Sequence, residues 1–115
     1  MRYMLRTDNV EFEVSKTAVP KVDQNGAQKI DPVSKLPVWS VELTAWTGED
    51  QGADVVTVSI PAASIPTLRW REPVEVVDLE MLPWAQKRRD GELHQGVAFK
   101  AVEIRPARAM TAVAA

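Results

Sequence analysis

His94 is the only histidine among the 115 residues, and there is no cysteine. A nucleophilic triad needs a base held beside an activated nucleophile, so His94 would have to serve alone. The missing thiol excludes disulfides, thiolate metal sites, iron–sulfur clusters and cysteine nucleophiles. Asp78 and Glu80 have the spacing to share one face of a strand, where paired carboxylates can bind Mg²⁺, but no third ligand is evident. No glycine-rich phosphate loop of the P-loop or dinucleotide kind occurs. His94, beside Asp90 and Glu92, reads as a surface loop residue. These residues suggest no reaction class and no cofactor, and the expectation is a protein without catalysis.

The side chains left to do chemistry are cations and indoles. The formal net charge is -2 and the pI about 5.4, so the chain as a whole is not a basic nucleic-acid binder. The charges are nevertheless segregated. Lys16, Lys21, Lys29 and Lys35 stand against Asp23 and Asp31, and Lys87, Arg88, Arg89 and Lys100 against Asp90 and Glu92. The acids collect in Glu42, Glu49, Asp50 and Asp54 and again in Glu72, Glu75, Asp78 and Glu80. Positive segments suit phosphates, and aromatic rings suit unpaired bases. Charge runs are also the ordinary solvated tips of loops. Four tryptophans are many for this length.

The elements that must position these groups read as strands. Apolar residues mostly alternate, and β-branched types dominate. Val10–Val19 places Val10, Phe12, Val14 and Ala18 on one face. Val38–Trp46 places Trp39, Val41 and Leu43 opposite Ser40, Glu42 and Thr44. Asp54–Ile60 alternates Val56, Val58 and Ile60 with Thr57 and Ser59. Pro73–Leu82 and Gly96–Arg105 complete five strands, the last with Ala98, Val102 and Ile104 on one face. Between them lie a long loop with an Asn25-Gly26 turn, a strap in which Ser64 and Pro66 suit one helical turn, and a polar hairpin tip from Pro83 to Gln95 turning at Asp90-Gly91. By parity Trp39 belongs to the core and Trp46 faces out. Trp70 is expected to plug the bottom of the barrel. Trp84 either stacks a base or anchors the hairpin, and Phe99 fits either face.

Five strands with a helical element between the third and fourth is the order of an all-β, OB-fold-like Greek-key barrel. The alternative is a small β-sandwich or another five-stranded barrel. The expected organisation is one domain over residues 1–106 and a short flexible tail over 107–115. No apolar run reaches the length of a membrane span and no secretory signal is visible, so a cytoplasmic protein is expected.

The runs Ala18-Val19-Pro20-Lys21-Val22-Asp23-Gln24-Asn25-Gly26 and Asp31-Pro32-Val33-Ser34-Lys35-Leu36-Pro37-Val38-Trp39-Ser40-Val41-Glu42 resemble small OB-fold proteins of actinobacterial plasmids and integrative elements. So do Gly96-Val97-Ala98-Phe99-Lys100-Ala101 and Ile104-Arg105-Pro106. More distantly, the chain is similar to single-stranded-DNA-binding proteins of phages and plasmids. The resemblance implies an OB barrel that coats single-stranded DNA during replication or transfer of a mobile element. The acidic tip of housekeeping single-strand binders has no counterpart in Met110-Thr111-Ala112-Val113-Ala114-Ala115, so recruitment through such a tip is not implied.

In an OB barrel the first long loop and the last hairpin flank the groove, and these are the two positive segments. The expected nucleic-acid site therefore comprises Lys21, Lys35, Lys87, Arg88, Arg89 and Lys100 for phosphates and Trp46, Trp84 and Phe99 for bases, with Ser40, Thr44, Thr57 and Ser59 offering hydrogen bonds. The expected partner is single-stranded DNA, with RNA as the alternative and a homodimer as a means of lengthening the footprint. The competing reading is a protein–protein adaptor on the same barrel, favoured by the acidic pI.

Overall fold

The computed structural model describes residues 2–48, 52–87 and 89–107. Every regular element in them is a strand: β1 (Tyr3–Met4), β2 (Glu11–Pro20), β3 (Val38–Trp46), β4 (Ala53–Pro61), β5 (Pro73–Val77), β6 (Glu80–Lys87), β7 (Leu93–Lys100) and β8 (Glu103–Pro106). They form one sheet in the order β1-β6-β7-β4-β3-β2-β5-β8. Neighbours are antiparallel except β4 and β7, which run parallel at Val58↔Phe99 and Ser59↔Lys100.

Chain connectivity forces this sheet to curl. β5 is seventh in the order and β6 is second, yet only Asp78 and Leu79 separate them. β7 is third and β8 is last, with only Ala101 and Val102 between. Two residues of chain span roughly 10 Å, so the two ends of the sheet must come together. The result is a barrel-like all-β fold. Two register shifts in β2, between Val14 and Lys16 and between Lys16 and Val19, add to the bend. They also let β2 pair with β3 along its length and with β5 at Phe12↔Val74.

The core follows the inward parity of the strands. Phe12, Val14 and Ala18 of β2 meet Val41 and Leu43 of β3, Val58 and Ile60 of β4, Val74 and Val76 of β5, and Ile104 of β8. Trp39 is half-buried against this cluster, and its indole N–H donates to the Ala62 carbonyl at 3.0 Å. The alternation in the first three expected strands thus gave the right face, and β3 has the expected bounds.

Other expectations need correction. The described residues form eight strands rather than five, because each of the last two expected strands is broken in two and the short β1 is an addition. Asp78 has φ 51°, a left-handed turn that flips the side-chain parity so that Leu79 is buried. Asp78 and Glu80 therefore do not share a strand face. At the second break Ala101 is buried and Val102 exposed, so the Ala98–Val102–Ile104 face does not exist as one surface. No helical turn stands between β4 and β5. Pro66 removes a donor and disfavours helical geometry at Ile65, and residues 62–72 run as an irregular strap. That strap buries Leu68, whereas Trp70, the expected plug, is 70% exposed. The β6–β7 strands extend from Leu82 to Lys87 and from Leu93 to Ala98, well into the expected hairpin tip. His94 accordingly lies on β7 rather than in a loop. Asp90-Gly91 and Asn25-Gly26 do turn the chain, with φ 88° at Gly91 and 83° at Gly26. The tail is bonded at Ala107, whose N–H donates to Pro73, and residues 108–115 lie outside the described part. No helix among the described residues is long and apolar enough to cross a membrane.

Leu43 is fully buried where β2, β3 and β4 meet. We expect Leu43→Ala to destabilise the fold by about 2–5 kcal/mol in urea unfolding, the usual result of emptying a core leucine site. Trp46→Ala, at the exposed end of the same strand, should cost far less.

Candidate nucleic-acid interface

The loop between β2 and β3 is folded back on itself. Isolated bridges pair Val22 with Gln28 and Ile30 with Pro37. Asp23 Oδ1 accepts the N–H groups of Asn25 and Ala27 and shapes the tip. The Lys21 N–H donates to Val38 and the Val38 N–H to Lys29, which ties the loop base to the start of β3. These bonds fix Lys21 and Lys29 beside the outer surface of β4 and β7.

Three lysines converge there. Lys21 Nζ donates to Ser59 Oγ at 2.8 Å. Ser59 is the register partner of Lys100, whose Nζ donates to Asp31 Oδ1 at 2.9 Å. Lys21, Lys29, Asp31, Ser59 and Lys100 line one groove of about 210 Å³, with Leu82, Ala98 and Phe99 among its apolar walls. Burial lowers the Lys21 pKa from its ordinary 10.5, and the charges of Lys29 and Lys100 lower it further. Three cations against one carboxylate leave a local excess of positive charge. An anion seated among them would relieve that repulsion.

Asp31 is the counterweight, at 5% exposure. Its Oδ2 accepts the Ser34 N–H at 2.7 Å, and its backbone bonds Leu36 and Lys35. Lys35 closes that turn with φ 65°. The Ser34 N–H and the Lys100 ammonium hold the Asp31 carboxyl well below the usual carboxylate range.

The β6–β7 hairpin continues the site outward. Beyond Met81 and Phe99 neither strand has another neighbour among the described residues, so residues 82–87 and 93–98 form a two-stranded arm. Pro83 is tolerated because β6 is an edge strand there. Trp84, Leu82, Gly96, Ala98 and Lys100 share one face of this arm by register. The Trp84 ring lies over Gly96: a Cβ there would sit 2.8 Å from Cζ2. Glycine is thus required for the indole to lie flat on the ribbon. Trp84 still keeps 47% exposure.

The expected site residues divide accordingly. Lys21, Phe99 and Lys100 are gathered at the groove, and Trp84 lies on the same face four β7 positions from Lys100, roughly 13 Å away. Phe99 also packs on the core. Lys87 and Arg89 are exposed at the far end of the arm, and Arg88 lies outside the described residues. Lys35 is exposed on the loop shoulder and does not line the groove. Trp46 is at the other end of β3 from Val38, roughly 26 Å along the strand, in a separate depression with Glu11 and Glu13. It is 44% exposed, but its register partner on β2 is Glu11, not a cation. Ser40, Thr44, Thr57 and Ser59 do share the outer face of β3 and β4. Of these, Ser59 is engaged by Lys21, and Thr44 shares a hydrogen bond with Ser15.

Lys29, Asp31, Leu82 and Ala98 line the groove without having been among the expected site residues. The Asp31-Pro32 pair with Ser34 three residues on is a turn signal that could have marked Asp31. His94 Nε2 is buried without a hydrogen bond, 3.5 Å from Glu92 Oε2. No cluster of three or more metal-ligating side chains occurs among the described residues. Neither a protein-family model nor a curated protein matches this chain.

The depressed pKa of Asp31 has a measurable sign. As pH falls below 3.8 the unfolded chain takes up a proton at Asp31 and the folded chain resists doing so. The stabilisation is therefore complete above that pH and is lost below it. We expect Asp31→Asn to lower stability at neutral pH. It should also make the fall in stability below about pH 4 shallower, by up to one proton equivalent, in urea unfolding run across that range.

Proposed function

We propose that this chain binds single-stranded DNA without catalysis and with little sequence preference, on an OB-like barrel. The observation that carries the reading is the convergence of Lys21, Lys29 and Lys100 around a groove with apolar walls, continuous with the exposed Trp84 ring. Phosphates need cations along a track, and unpaired bases need apolar surface and an open ring. Both are offered on one face.

The strand connectivity supports the OB reading. Taken as one bent strand each, β5 with β6 and β7 with β8 give five strands besides the two-residue β1. β2, β3 and β4 form an antiparallel meander, the last bent strand joins β4 in parallel, and the fourth returns to β2. OB barrels bind oligonucleotides on the face of strands two and three between the first loop and the last hairpin. Here those are the outer face of β3 and β4, the loop 21–37 and the arm. Within this reading Lys87, Arg88 and Arg89 extend the phosphate track, Phe99 closes the apolar wall, and Lys35 and Trp46 stand at its margins. The resemblance to proteins of mobile elements makes replication or transfer of such an element the proposed setting, in the cytoplasm.

A protein–protein adaptor is the second reading, favoured by one observation. The opposite face of the arm carries Pro83, Ala85, Leu93 and Val97, with Leu93 63% exposed. An apolar ribbon of this kind would seat a protein partner or a second copy of the chain.

Fluorescence anisotropy with labelled oligo(dT) tests the first reading. Replacing Lys21, Lys29 and Lys100 together by glutamine should flatten the salt dependence by about 2 in log–log slope, at about 0.7 per lost phosphate contact. Trp84→Ala should weaken binding by about 1–3 kcal/mol while leaving folding nearly intact. Duplex DNA should bind much less well, because paired bases cannot reach the ring. Failure of the wild type to bind either form at low salt would leave the adaptor reading.

A further inference from the structure

Trp70 is the most exposed tryptophan, and nothing in the core accounts for its position. The strap that carries it contributes Leu68 to the interior instead. Its surroundings are nonetheless tightly built. The Arg71 N–H donates to Val14 at 2.7 Å, and the Val14 N–H donates to Glu72 at 3.0 Å, so residues 71 and 72 are locked to the middle of β2. The Glu72 N–H donates to the Arg69 carbonyl, and the Arg69 N–H to Glu72 Oε1, which closes the turn. Arg71 has φ 63°, a left-handed conformation that strains a residue other than glycine. The guanidinium that this conformation directs donates to Glu13 Oε1 at 3.0 Å and lies 5.7 Å from the centroid of the Trp70 ring. A bulky ring is thus held in water, backed on one side by a cation, on a turn that stores strain.

We infer that Trp70, backed by Arg71, is a second base-stacking platform for the strand that occupies the lysine groove, an inference that rests on the single-strand reading above. Glu13 has the outward parity of Thr44, so the Arg71 guanidinium lies on the same outer surface as Ser40, Ser59 and Lys100. From Lys100 the surface crosses β4, β3 and β2 before reaching the strap, four lateral steps or roughly 19 Å, and Glu13 lies a further four residues along β3, at Thr44 rather than Ser40, or roughly 13 Å toward the Trp46 end. Lys16, which pairs with Glu42 at 3.6 Å, and the Ser15 and Thr44 hydroxyls lie on the way. An OB barrel covers about 4–16 nucleotides, and a strand anchored at the groove needs only part of that length to reach Trp70. Stacking on indole is tolerant of base identity, in keeping with weak sequence preference. Arg69, exposed beside the ring, is placed to meet the adjoining phosphate.

The distinguishing observable is length. Labelled oligo(dT) of about 6 and about 20 nucleotides would be titrated by anisotropy against the full chain, Trp70→Ala and Trp70→Phe, with thermal melts as a folding check. We expect Trp70→Ala to weaken the long oligonucleotide by about 5- to 150-fold, the loss of one stacked base, and to leave the short one essentially unchanged. Trp70→Phe should recover most of the loss, and all three proteins should melt alike because Leu68 still fills the interior. Equal weakening at both lengths, or none at either, would overturn the inference while the single-strand reading stands, and would leave the exposed ring to a protein partner. If the wild type binds neither length, the single-strand reading itself fails and takes this platform with it.

Discussion

β5 and β6 are consecutive in the chain and lie near opposite ends of the sheet, joined only by Asp78 and Leu79. That connection, matched by Ala101 and Val102 between β7 and β8, is the constraint on which the remaining structure depends. It is stitched by the Val102 N–H donating to Val77 and by the Leu5 N–H donating to Leu79. Because the chain turns through a left-handed residue at Asp78, side-chain parity changes between the two strands. Inward residues of β5 give way to a β6 face on which Leu82 and Trp84 look outward beside Ala98 and Lys100. The same kink that draws the sheet round therefore sets which side chains of the arm share a face with Lys100.

The charge arrangement follows from that geometry. Folding brings Lys21 and Lys29, from the loop after β2, against Lys100 at the end of β7. Asp31 offsets part of the repulsion and, through Lys100, pins the loop to the barrel across a sequence separation of 69 residues. Burial opposes the charged form of Lys21, and its neighbours do likewise, so the cluster stands ready to gain from a bound anion. The acidic net charge of the chain does not contradict this, because Glu11 and Glu13 line the depression at the opposite end of β3. The overall sign is thus a poor guide to the local field.

Much of the barrel was legible in the alternation of apolar residues. Val41 and Leu43 against Ser40 and Glu42 fixed the inward face of β3, and Phe12, Val14 and Ala18 did so for β2 despite the intervening register shifts. Where alternation was interrupted, reading by period failed. A residue such as Asp78 in left-handed geometry leaves no period-two trace, and it divided one expected strand into two. The strap misled for a similar reason: Ser64 and Pro66 suit a helix start, but prolines at 61, 66 and 73 leave too little free chain for one. Of the residues at the groove and on the arm face beside it, Lys21, Phe99, Lys100 and Trp84 were already among those expected from charge and position. Asp31 and Lys29 were not, because Lys29 is placed by a loop that folds back to bond Lys21 and Val38, and Asp31 meets Lys100 only across the fold. Trp46 passed the parity test and still stands apart from the lysines, since parity says which way a side chain faces and nothing of how far along the strand it lies.

The lysine groove and the Trp84 face are proposed to form one surface for single-stranded DNA. Backbone and indole NMR shifts of the full chain, followed while oligo(dT) is added, test it residue by residue. Perturbations are expected to concentrate on Lys21, Lys29, Ser59, Ala98, Lys100 and the Trp84 indole, with Trp46 and Thr47 at the acidic end little changed. Perturbations centred on the Trp46 depression, or none anywhere at low salt, would contradict it.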